Sequence, residues 1–110
     1  MKLDGGREVG VTRRFGAVVV RPFASPAGVR HEPLPEGGRR IPIVALTQTG
    51  VQYYSLQCLV GECGWYGETD TCVGWLEIPE CCEALLIRAD TGDSIVIGEG
   101  SYAVQVPMWE

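Results

Sequence analysis

The apolar residues of this chain fall mainly in short, β-branched and alternating runs rather than at helical spacing. Phe15-Gly-Ala-Val-Val-Val20 reads as a strand, and Cys72 to Ile78 as another. Ile43 to Gln48 and Val51 to Leu59 are two strand-forming runs separated by Thr49-Gly50, which makes a hairpin the natural reading. In the second run Tyr54, Leu56 and Cys58 share one face while Val51 and Tyr53 take the other. Both faces are thus partly apolar, and the strand is expected to be covered on both sides, as in a sandwich or at an interface. Ser94 to Ile97 and Ser101 to Val106, joined across Gly98-Glu99-Gly100, read as a second hairpin. In it Tyr102, Val104 and Val106 alternate with Ala103 and Gln105.

One segment supports two readings. Ile78, Cys81, Cys82, Leu85 and Ala89 fall at helical spacing, with Pro79 where a first helical turn tolerates it and Gly92 beyond the end, which would give a short helix over 79–89. The same stretch contains Ala84-Leu-Leu-Ile87, a short apolar strand. The fold class is therefore all-β, a small sandwich or partly open barrel of about six to seven strands, with a short helix at 79–89 as the one helical alternative.

The 110 residues suffice for one domain. Residues 1–14 form a polar, basic N-terminal arm, and 15–110 a single β domain. A loop over 21–42 is inserted in it, rich in Pro and Gly (Pro22, Pro26, Pro33, Pro35 and Pro42). Loops this long are usually functional or pinned to a partner. The net charge of −5 is unevenly distributed. Residues 1–40 hold eight Lys and Arg against four acids, a balance of +4, whereas 41–110 hold Arg88 alone against ten acids, a balance of −9. The pairs Arg13-Arg14 and Arg39-Arg40 could meet nucleic-acid phosphates, but the acidic body would repel a polyanion. A basic arm and loop laid against an acidic body, its own or a neighbouring copy's, is the favoured use of the split.

Residues 1–6 contain no apolar stretch and the purely aliphatic runs are four residues long, so neither an export signal nor a membrane span is expected. The expectation is a cytoplasmic protein, free or incorporated in a particle. Five cysteines in such a chain read as reduced thiols or metal ligands before disulfides. Cys58-Leu-Val-Gly-Glu-Cys63-Gly64-Trp65 resembles one half of a zinc ribbon, a Cys pair ending in Cys-Gly with an aromatic after it. The other half departs from that pattern, with Cys72 alone and Cys81-Cys82 adjacent. The resemblance implies a four-thiolate zinc site from Cys58, Cys63, Cys72 and Cys81, or Cys82 in place of Cys81. The alternative is a set of buried thiols acting as small apolar fillers, and in that case no cofactor is expected.

Other constellations are weaker. Asp90-Thr91-Gly92 resembles the signature of retroviral-type aspartic proteases, but only eighteen residues follow it, and a β-turn uses the same residues. His31, the only histidine, lies in the Pro/Gly loop as Val-Arg-His-Glu-Pro; Ser-His or Cys-His catalysis would need it held beside a nucleophile. Glu68-x-Asp70 and Asp90-x-x-Asp93 lack the ligand density of a calcium loop. The chain is accordingly read as a non-enzymatic structural, assembly or binding protein. It would act through its basic arm and acidic β body on protein partners, chiefly copies of itself, as an accessory subunit of a large particle such as a virion. Candidate interaction residues are Arg13, Arg14, Arg39, Arg40, Trp65 and Tyr66, since Tyr and Trp anchor interfaces. A zinc-ribbon-like adaptor and a small acidic inhibitor mimicking nucleic acid are the alternatives.

Overall fold

The computed structural model describes residues 7–8, 10–68 and 73–107. Within them the chain is all-β: β1 (Arg7–Glu8), β2 (Arg13–Phe15), β3 (Val18–Pro22), β4 (Glu32–Pro35), β5 (Ile41–Thr47), β6 (Gly50–Val60), β7 (Glu62–Glu68), β8 (Val73–Ile78), β9 (Glu83–Arg88), β10 (Ser94–Ile97) and β11 (Gly100–Gln105). They form a five-stranded sheet in the order β1-β10-β9-β6-β5 (sheet 1) and a six-stranded sheet in the order β2-β3-β11-β8-β7-β4 (sheet 2). All neighbours are antiparallel except β1 and β10, which run parallel. The two sheets form a sandwich and not a closed barrel.

Alternation builds the core between them. Ile41, Ile43 and Ala45 of β5, with Tyr54, Leu56 and Cys58 of β6 and Ala84 and Leu86 of β9, meet Val18, Val20, Leu34, Trp65, Leu76 and Val104 of sheet 2 in one buried cluster. Each strand of that set contributes every second residue, the strand period. Trp65 spans so much of the space that a Cβ added at Gly74 would lie 1.9 Å from its ring.

The helix over 79–89 is not formed. Pro79 to Cys82 make a tight turn closed by the Cys82 amide donating to the Pro79 carbonyl at 3.1 Å, with Cys81 in the left-handed region at φ 67°. Glu83–Arg88 then runs between β6 and β10. Pairing on both sides satisfies its backbone and buries Ala84 and Leu86, an alternation that the helical spacing of Leu85 and Ala89 does not serve.

Four other expectations change in detail. The run 15–20 is split at Gly16-Ala17 into the β2–β3 hairpin. The described residues of the arm join the sheets, Arg7–Glu8 of β1 pairing with β10 and Arg13 and Arg14 of β2 with β3. The Pro/Gly loop contains β4, whose Pro33 and Pro35 sit on the edge of sheet 2, where a missing amide is tolerated. The hairpin expected from 94–106 has its strands correctly placed but not paired with each other. β10 belongs to sheet 1 and β11 to sheet 2, so Gly98-Glu99 carries the chain across the sandwich. The Tyr102 hydroxyl fixes that crossing by donating to the Glu99 carbonyl at 2.9 Å.

Candidate functional site

Two places stand out once the core is assigned: an uncharged outer face on β5 and β6, and a corner where three thiols gather.

The β5–β6 hairpin pairs Val44 with Tyr53 and Leu46 with Val51. Because side chains alternate, burial of Ile43, Ala45, Tyr54 and Leu56 sends these four to the opposite face, where they are 40%, 58%, 54% and 49% exposed respectively. They form a contiguous apolar surface at one margin of sheet 1, of which β5 is the edge strand. Residues 41–61 contain no Asp, Glu, Lys, Arg or His. The basic and acidic parts of the chain are therefore separated by a neutral hairpin, and this hairpin carries the exposed apolar face. Among the described residues Val51 and Tyr53 remain exposed, without the cover expected over that face.

At the other end of β6 the chain leaves sheet 1 and enters sheet 2 at Gly61. Gly61 has φ +78°, and a Cβ there would lie 2.4 Å from the Cys82 sulfur, so both conformation and space call for glycine. On either side of this corner Cys58 and Cys63 are buried, with their sulfurs 3.0 Å apart. The Cys58 thiol donates to the Gly61 carbonyl at 3.2 Å and the Cys63 thiol to the Glu83 carbonyl at 3.5 Å. Burial, and next the adjacent Cys58 sulfur, push the Cys63 thiol far above its ordinary range and keep it protonated. Of the adjacent pair, Cys82 is buried against this corner and Cys81 is exposed. Cys72 lies outside the described residues. Among the described residues no group of three or more His, Cys, Asp and Glu side chains is arranged to hold a metal ion.

The remaining candidates are dispersed. Trp65 is buried in the core, while Tyr66 is half-buried beside it on β7. Arg13 donates to the Val96 carbonyl at 2.7 Å across the sheets, Arg14 is exposed on β2, Arg39 pairs with Glu32, and Arg40 is exposed. His31 is held by Ser25, 2.9 Å from Nε2, with Glu77 3.8 Å from the same nitrogen. A Ser-His-acid relay needs the hydroxyl and carboxylate on opposite ring nitrogens. This trio instead straps the loop onto β8, and Glu77 also accepts from Ser101 at 2.6 Å. Asp90-Thr91-Gly92 forms the β9–β10 turn. There the Gly92 amide donates to the Arg88 carbonyl at 2.8 Å, and the hydrogen bond from the Arg88 guanidinium holds the Asp90 carboxyl below its ordinary value. Asp70 and Trp109 lie outside the described residues.

Among the described residues no helix is long and apolar enough to cross a membrane. No protein-family model matches the chain, and neither a curated protein nor a solved structure matches it.

Proposed function

We propose that this chain is a non-catalytic assembly protein whose copies meet through the outer face of the β5–β6 hairpin. The observation that carries the reading is the Val44, Leu46, Val51 and Tyr53 surface, apolar and exposed within a stretch free of charge. An apolar patch of this kind is often the place where a protein meets a partner.

A second copy is the occupant that the charge pattern favours. Two chains of −5 repel wherever their acidic parts approach, and least where both present 41–61. A two-fold axis brings that one neutral patch against itself, so the contact is self-complementary with no charge left unpaired. Charged residues outside the patch would then set orientation more than affinity.

The four side chains expose on the order of 400 Å² per copy, about half of what a standard interface buries on each partner. One such contact is weak, and many acting together are strong. That scale suits a weak pairing of copies, which further contacts would reinforce in a larger assembly such as a particle with accessory subunits, better than an isolated tight dimer.

The test is sedimentation equilibrium on the wild type and on the double variant Leu46→Lys/Tyr53→Lys, with circular dichroism to verify the fold. The wild type should show a mass that rises with concentration, and the variant should remain a monomer with an unchanged spectrum. A wild type that stays monomeric into the millimolar range, or a variant that associates as well as the wild type, would overturn the proposal.

A further inference from the structure

We infer that Cys58 and Cys63 form a redox-active dithiol, a modification site that closes to a disulfide and ties sheet 1 to sheet 2 at the Gly61 corner. The two sulfurs are 3.0 Å apart, and a disulfide needs about 2.05 Å, so closure asks for a movement of roughly 1 Å. The backbone already supplies the approach. Cys58 lies two residues before the end of β6, Cys63 is the second residue of β7, and the left-handed Gly61 between them folds the chain back so that both side chains are buried with their sulfurs together. The sheet-to-sheet crossing is a single residue wide, between Val60 and Glu62. A bond across it therefore links the two layers where the chain itself links them most tightly.

Hydrogen peroxide is the oxidant class that fits, because both sulfurs are buried and a bulkier disulfide reagent would have to open the corner first. One thiol loses its proton and its sulfur attacks a peroxide oxygen. The O–O bond breaks, and the leaving hydroxide takes up the proton as water, so that sulfur becomes a sulfenic acid. The second thiol then attacks the sulfenyl sulfur, the S–S bond forms, and the sulfenic hydroxyl leaves with the remaining thiol proton as a second water. Two electrons pass from the sulfurs to peroxide. Because burial keeps Cys63 protonated, the reaction is slow while the corner stays closed, and its rate follows local opening.

Cys82 is the competitor, since its sulfur packs against Gly61 in the same corner. The sequence allows the two to be told apart. Cleavage after glutamate at Glu36, Glu62, Glu68, Glu77, Glu80 and Glu83 places Cys58 in peptide 37–62, Cys63 in 63–68, Cys72 in 69–77, and Cys81 and Cys82 together in 81–83.

The experiment treats the full-length reduced protein with hydrogen peroxide in native buffer, caps the remaining thiols, digests with a glutamate-specific protease and reads the masses. The expected product is peptide 37–62 joined to 63–68, two hydrogens lighter than their sum and released by dithiothreitol. The oxidised protein should melt on the order of 5–10 °C higher, a gain absent from Cys63→Ser. Free Cys58 and Cys63 after oxidation, or a bond from either to 69–77 or 81–83, would overturn the proposal, as would a link that forms only in denaturant. The peptide map is read on the wild type, so the outcome stands even if the Cys63→Ser variant does not fold.

Discussion

Tyr54 fastens the two sheets through one buried hydroxyl. It donates to the Phe15 carbonyl at 2.8 Å, accepts from the Ala17 amide at 2.7 Å and meets the Gln52 side chain, so a residue of β6 in sheet 1 holds the β2–β3 turn of sheet 2. Tyr54→Phe keeps the ring but removes the donor to the Phe15 carbonyl, while the Ala17 amide keeps its bond to the Gln52 side chain at 2.9 Å. The expected loss is about 1–3 kcal/mol in chemical denaturation, with a fold that is otherwise retained. Gly74 answers to a different constraint. A methyl group there meets the Trp65 ring at 1.9 Å, so Gly74→Ala should cost about 2–3 kcal/mol through displacement of a core tryptophan, read as a lower urea midpoint. The buried Cys63 thiol gives the alkaline limb its sign. A thiol whose folded value is raised contributes stability in full below its ordinary 9.0, and that contribution is lost as the unfolded chain ionises above it. Tyr54, raised chiefly by burial from 10.0, acts in the same direction at still higher pH. Reduced protein should therefore unfold at progressively lower urea from about pH 9 upward, and Cys63→Ala should show a shallower fall.

The strands were legible in the sequence wherever alternation was strong; of their partners, the β5–β6 hairpin across Thr49-Gly50 was legible and the longer-range pairings were not. Tyr102 and Val104 identify β11 by period, because a half-buried strand must show every second residue to the core, whereas Ala84-Leu-Leu-Ile87 is a continuous apolar run that left β9 open to a helical reading. Nothing in Gly98-Glu99-Gly100 says whether the chain turns back within a sheet or crosses to the other, since both routes use short glycine-containing links. The outcome depends on the distant pairing of β11 with β3 and β8. The helix reading of 79–89 failed for a related reason: β9 gains ladder partners on both sides, and local spacing cannot anticipate them. The thiol corner was half legible. The Cys58-x4-Cys63 spacing with a glycine inside it does bring two sulfurs together, and burial of Cys82 rather than Cys81 follows from a turn that only the fold reveals. That turn supplies a prediction at this scale. Cys81 is a non-glycine residue at φ 67°, so Cys81→Gly should relieve left-handed strain and raise stability by about 0.5–1 kcal/mol, measured as a higher urea midpoint.

At the scale of the whole molecule, the charge of −5 is the sum of a basic segment, a neutral hairpin and an acidic remainder. The fold spends the large aromatic Trp65 on the core and leaves Tyr53 on the outside with Val44, Leu46 and Val51. Interaction through the neutral hairpin and interaction through the arginine pairs make opposite forecasts with salt. Apolar association persists or strengthens as salt screens the like charges of two copies, whereas charge-driven association weakens over the same range. Raising the salt to about 0.5 M should thus leave the sedimentation mass of the wild type undiminished. The most direct measurement is a concentration series of NMR spectra on labelled full-length protein, which locates the contact residue by residue. The account predicts that the resonances of Val44, Leu46, Val51 and Tyr53 shift together as concentration rises, ahead of the rest of the chain. Shifts centred on Arg13, Arg14, Arg39 and Arg40, or spectra that do not change with concentration, would contradict it.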